Sequence, residues 1–138
     1  MPVEPLTGPA RDRERGSAVV EFVLVGVLVV ALLLAVLQVA VYVHVRNVVV
    51  ASAQEGARYA ANADVPAQAG VGRTLEVVGR ATSTATAAGL ACSTEQEVDD
   101  SGLVLVVVRC TGAVPSLFAG LGDLLPLEAT GRAVEEGP

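Results

Sequence analysis

Any chemistry in this chain has to come from a short set of side chains. Cys92 and Cys110 are its two cysteines and His44 its single histidine. Glu95, Glu97 and Asp99 place carboxylates at alternate positions, and Glu21 stands at the mouth of a long apolar run. A histidine with no second histidine and no cysteine nearby lacks the ligand set of a metal centre, so His44 reads as an interfacial side chain whose tip reaches water. Acids at alternate positions of a strand share one solvated face, and no loop with the oxygen-ligand spacing of a calcium site accompanies them. The sequence has no glycine-rich phosphate loop, no His-rich or Cys-rich cluster and no nucleophile beside a histidine. It therefore predicts a non-enzyme with no cofactor and no metal.

One stretch, Gly16 to Val43, must position the rest. From Phe22 to Val43 only Gln38 is strongly polar, and at the helical rise the run extends about 33 Å, enough for a hydrocarbon core of about 30 Å. Its valines would favour strand in water. In lipid the backbone must satisfy its own hydrogen bonds, so a transmembrane helix is expected. Arg11, Arg13 and Arg15 precede the run, whereas only Arg46 and Arg58 follow nearby, a bias that puts the N-terminus in the cytoplasm and the bulk of the chain outside. The chain has 138 residues, and what lies beyond the helix, roughly 75 to 90 of them, is enough for one small domain. A net charge of -6, with nine Arg and no Lys, leaves no basic patch for nucleic acid. Aromatics make up 3% of residues, too few for a stacking platform, so Tyr42 and Tyr59 read as interfacial or packing residues.

Met1 to Gly16, with Pro2, Pro5, Gly8 and Pro9 before Arg11-Asp12-Arg13-Glu14-Arg15, reads as a disordered leader. Then comes Arg15-Gly16-Ser17-Ala18-Val19-Val20-Glu21-Phe22, which resembles the type IV prepilin cleavage site. The resemblance implies that a prepilin peptidase cuts between Gly16 and Ser17, making Glu21 the fifth residue of the mature chain and Phe22 the end of the motif. A carboxylate entering the apolar zone costs roughly 2.5 kcal/mol or more unless paired. The new amino group on Ser17 of a neighbouring subunit would be a partner for Glu21; a position among headgroups at a helix N-terminus is the other reading. Ala51-Ser52-Ala53 has the small-x-small form of a signal-peptidase site, but the apolar run is too long and His44 and Arg46 intervene. Ala53, Ala57 and Ala61, like Ala31 and Ala35, fall at four-residue spacing, which lets another helix approach closely.

Gln54-Glu55-Gly56-Ala57-Arg58-Tyr59-Ala60-Ala61 also resembles a recurring stretch of the TadE-like proteins of tight-adherence (Flp) pilus systems, and the likeness spans roughly Gly16 to Ala61. What it implies is a minor pilin-like (pseudopilin) subunit that serves pilus assembly, adhesion or secretion. Its partners would be the prepilin peptidase, other pilin subunits, the assembly machinery and membrane lipid. The alternative is an unprocessed single-pass membrane protein whose outer domain binds a ligand or partner.

The remainder predicts an α+β fold: a leader over 1–16, a pilin-like helix over 17–61 and a small extracytoplasmic domain over 62–138. Asn62 to Gly72 should turn, and a helix should follow from about Arg73 to Ala88 on an apolar face of Leu75, Val78 and Ala81 or Thr82. Asp100-Ser101-Gly102, with Gly left-handed, makes a hairpin loop that sets Asp99 opposite Leu103 and, counting outward, Cys92 opposite Cys110. Directly opposed residues lie within disulfide range, and the topology puts them in an oxidising compartment, so a Cys92–Cys110 disulfide is expected. In this register Cys92, Thr94, Gln96 and Val98 share the buried face with Val104, Val106, Val108 and Cys110. Leu117 to Leu125 should form an apolar turn, Leu127 to Val134 a third strand, and Glu135 to Pro138 should fray.

Overall fold

Valine-rich as it is, the apolar stretch is helical. In the computed structural model, which describes residues 1–3, 11–114 and 125–137, α1 (Arg11–Ala60) runs without a break through the apolar run and the polar residues His44, Arg46 and Asn47. It is followed by α2 (Ala69–Ala81), α3 (Thr84–Ala88), β1 (Ala91–Val98), β2 (Val104–Val114) and β3 (Leu125–Val134). The fold is α+β, as expected. The helix begins earlier than the leader reading allowed, because four of the residues from 11 to 15, three Arg and Glu14, are good helix formers extending a helix already nucleated. The expected turn at Leu117 to Leu125 lies outside the described residues except for Leu125, which opens β3.

The chain divides into two compact units, Met1–Leu37 and Gln38–Pro138, with the boundary inside α1. In the second unit the strands form an antiparallel sheet in the order β1-β2-β3. One face of that sheet and α2 close on a stripe of α1. Val49, Ala53 and Ala57, four residues apart and so on one face, are buried with Val78, Val108, Cys110, Val114, Leu127 and Ala129. Small residues set the distance between these layers. A Cβ on Gly131 would lie 2.2 Å from the Ala53 carbonyl oxygen, and one on Gly56 would lie 2.0 Å from the Thr74 hydroxyl.

The second helix is the element the sequence placed least well. It starts at Ala69, inside the expected turn, and its buried line is Gly70, Thr74 and Val78. Leu75 is half-buried and Ala81 exposed. The single helix expected to Ala88 is instead two. Thr82 turns its hydroxyl onto the Val78 carbonyl at 2.8 Å, and the Ser83 hydroxyl accepts the Thr86 amide at 3.0 Å, capping α3. Short hydroxyl side chains compete with the backbone ladder in this way.

The hairpin has the expected register. Cys92 pairs with Cys110 and Val98 with Val104, Asp99 donates its amide to the Leu103 carbonyl at 2.9 Å, and Gly102 has φ +84°. Two of its expectations fail. Gln96 and Val98 with Val104 are exposed, because α1 ends at Ala60, and Ala60 and Ala61 reach only as far as Val106 and Ala133. Val107 is fully buried on the opposite face, where it pairs with Glu95 and Arg132, long side chains whose aliphatic stems can cover it. The tail does not fray at once, since Glu135 and Glu136 donate amides to the carbonyls of Val104 and Ala61, both at 2.8 Å.

The close approach at Gly131 predicts that Gly131→Ala lowers the unfolding temperature of the second unit. The cost is that of forcing a methyl into a packed contact, about 1–3 kcal/mol, or about 4 °C or more for a unit of this size. Gly26→Ala, with nothing within 4 Å of its Cβ position, should not. Thermal unfolding of the two variants in detergent makes the comparison. Asp99 gives a pH prediction. Hydrogen bonds from the Ser101 hydroxyl and then the Leu103 amide hold its carboxyl below the ordinary value of 3.8. A lowered folded-state value means stabilisation present above pH 3.8 and lost as pH falls through the folded value. The stability difference between wild type and Asp99→Asn should therefore shrink on acidification through that range.

Candidate functional site: the amino-terminal helix and its docking segment

From Gly16 to Leu37 every residue of α1 is exposed. Phe22 is 79% exposed and Leu24, Leu28 and Leu32 about as open, at 65–66%. The helix is long and apolar enough to cross a membrane, with a mean hydropathy of 3.1 over its most apolar window and none of that window buried. So much contiguous apolar surface on a soluble monomer would far exceed the few hundred Å² usually tolerated; it calls for lipid or other helices. Ser17 and Glu21, four residues apart, lie on one face. A side chain at Gly16 would meet nothing within 4 Å, so neither close packing nor a special backbone angle requires glycine there.

The second half of α1 does different work. Gln54 lies against the outer edge of β3, where its amide oxygen accepts the Arg132 N–H at 3.1 Å and its amide nitrogen donates to the Arg132 carbonyl. One side chain thus stands in for a neighbouring strand on an edge that would otherwise be open to pairing. Glu55 meets Arg73 of α2 at 3.2 Å, and the Arg73 guanidinium lies 6.0 Å from the centroid of the Tyr59 ring. These are partly exposed contacts worth little individually; they orient α2, while Gly56 lets it come close.

Ala53, Ala57 and Ala61, expected to admit another helix, are buried inside the same chain. Ala31 and Ala35 stay exposed. Ser52 and Ala53 are 1% and 0% exposed within an unbroken helix. A cut after Ala53 would remove Val49 from the core.

The remaining candidates take structural places. Cys92 and Cys110 are bonded, with Cα atoms 4.1 Å apart. Glu95 and Glu97 are less free than a solvated face implies, since both meet Arg109, at 3.8 and 2.7 Å, and Asp99 closes the hairpin turn. Among the described residues no group of three or more His, Cys, Asp or Glu could hold a metal ion. His44 is exposed, and Tyr42 donates its hydroxyl to the Pro126 carbonyl at 3.1 Å. Sequence reasoning missed Gln54 and Gly131. The signal for Gln54 was a polar side chain beside an alanine stripe; for Gly131 there was only a glycine inside a strand.

An exposed apolar half followed by a docking half is the arrangement against which family likeness can be weighed. Residues 16–58 match the family model for TadE-like protein. No curated protein and no solved structure matches the chain. The TadE-like segment therefore begins at Gly16, takes in the whole exposed stretch and ends at Arg58, just past Gln54, Glu55, Gly56 and Ala57. Within the TadE-like segment these last residues hold the sheet and α2 in place. Removing the amide in Gln54→Ala should destabilise the second unit by about 0.5–1.5 kcal/mol, as two exposed backbone groups exchange their partner for water. Hydrogen exchange should show it locally, the Arg132 amide losing protection before those of β2.

Proposed function

We propose that the chain is a minor pilin-like subunit of a tight-adherence (Flp) pilus, made with its N-terminus in the cytoplasm and cut by prepilin peptidase between Gly16 and Ser17. The observation that supports this best is the division of the TadE-like segment. Residues 16–37 form a fully exposed apolar helix, and the rest of the match is bound into a small disulfide-linked domain. The family likeness favours a Tad pilus-related protein; the minor role follows from the domain, since a bulk filament subunit needs little beyond the helix. In this reading the helix stays out of water throughout, exchanging lipid for the helices of other subunits.

Gly16 and Glu21 gain specific tasks. A peptidase needs its scissile bond extended, yet Gly16 and Ser17 lie within α1. Glycine, about 1 kcal/mol worse than alanine in a helix, lowers the cost of opening that turn. After the cut, the cationic amino group of Ser17 in one subunit would face Glu21 of the next only in the correct axial register. The carboxylate then penalises misalignment, because in every other register it stays unpaired near hydrocarbon.

The intact mass of the chain from membranes with and without active prepilin peptidase tests this. A peptidase-dependent start at Ser17 is expected. Gly16→Leu should retain the leader, and Glu21→Ala should be cut but recovered less in assembled material. A chain starting near Met1 in both membranes would replace the pilin reading with that of a single-pass anchor presenting a binding domain.

A further inference from the structure

Past the end of the apolar run a cleft of about 440 Å³ opens between α1 and the sheet, lined by Tyr42 and Arg46 of α1, Thr111 and Gly112 of β2, and Pro126 and Glu128 of β3. The Tyr42 hydroxyl, bonded to the Pro126 carbonyl at 3.1 Å, ties helix to strand at one wall. Arg46 and Glu128 are both exposed, and among the described residues neither takes part in an ion pair. A cation and an anion that share a cleft without closing on each other offer complementary ends to a ligand that carries both charges.

Position along α1 says what kind of ligand that is. Arg46 follows Val43 by three residues, about 4.5 Å at the helical rise, whereas each headgroup layer of a bilayer is about 5–8 Å deep. With Phe22 to Val43 filling the hydrocarbon, Tyr42 stands at its boundary, where tyrosine concentrates, and Arg46 stands among headgroups. We infer that the cleft binds a zwitterionic phospholipid headgroup of the phosphoethanolamine class, its phosphate on Arg46 and its ammonium on Glu128. The inference rests on the membrane-spanning part of the proposed function. Guanidinium matches phosphate oxygens in a two-pronged contact, and a primary ammonium donates hydrogen bonds to a carboxylate. A trimethylated ammonium has no N–H to give Glu128, and a glycerol headgroup has no cation at all. Free phosphoethanolamine carries the same two charges; a lipid adds acyl chains that hold it in the hydrocarbon.

The test is native mass spectrometry of the full chain released from nanodiscs that contain equal amounts of phosphatidylethanolamine, phosphatidylcholine and phosphatidylglycerol. Phosphatidylethanolamine should be retained about tenfold over either competitor, the size of one charge-assisted hydrogen bond. Arg46→Gln should lower the retention of all three lipids, since each carries the phosphate, and Arg46→Lys should restore part of it. Glu128→Gln should bring phosphatidylethanolamine down to the level of phosphatidylcholine and abolish the preference over phosphatidylglycerol while leaving phosphatidylglycerol bound. An intact Cys92–Cys110 bond, read in the same spectra, checks that each variant has folded. Equal retention of the three lipids, or a preference unchanged in both Gln variants, would overturn the inference. So would displacement of the lipid by millimolar glycerophosphoethanolamine, which would assign the cleft to a soluble headgroup. Arg46 and Glu128 are present in cut and uncut chains alike, so failure here leaves a peptidase-dependent Ser17 start standing, and the absence of that start leaves the lipid preference standing.

Discussion

The structure beyond Leu37 depends on one close approach, that of the β3 backbone at Gly131 to the α1 backbone at Ala53. No side chain fits between them. That contact brings the sheet down onto Val49, Ala53 and Ala57, so the helix supplies one whole side of the core and is not a stalk with a separately folded head. A sheet of three strands has one apolar face to cover and little chain left with which to cover it. Here most of the cover comes from the continuation of an apolar helix, with the shorter α2 beside it. The domain therefore cannot be separated from residues 38–60 without opening its core.

Small cores need added restraint, and this one has several devices that act where packing runs out. The Cys92–Cys110 bond joins β1 to β2 at the end of the ladder remote from the hairpin turn, closing a loop with a sequence separation of 18. In a chain-entropy account such a loop is worth about 3 kcal/mol, a large share of what a domain this small can have. Asp99 fixes the turn at the other end of the same hairpin, and Gln54 occupies the outer edge of β3. Each stabilises a place where the sheet would otherwise fray or pair with another chain.

What could be read from sequence and what could not divide along a physical line. The hairpin was legible down to the cysteine pair because a three-residue loop fixes register by counting, and counting needs no knowledge of the rest of the fold. The helical state of a valine-rich run was legible because length and apolarity override propensity. Val98 and Val104 were assigned to the buried face correctly by parity, yet they are exposed, since parity says which way a side chain points and not how far the covering helix reaches. The alanine stripe was read as admitting another helix, and α2 does pack there; that β3 comes down on the same stripe only tertiary structure shows. The break at Thr82–Ser83 sat in a run of poor helix formers, where local hydroxyl bonds and helix continuation are close in energy.

The TadE-like match makes sense of an arrangement that would otherwise be costly. A helix of which one half must avoid water and the other half must fold a domain in water cannot be optimised for either task alone. Its sequence changes character along its length, from valine and leucine before Gln38 to alanine, glycine and paired polar residues after Val50. Bulky apolar side chains maximise contact with lipid or with neighbouring helices, whereas small ones let a sheet and a second helix come close. Since Val49, Ala53 and Ala57 are already used within the chain, what remains for contacts outside it is the exposed stretch 16–37 and the exposed surface of the domain. A chain built this way can meet lipid or other helices through its apolar half without giving up any of the packing that holds its other half together.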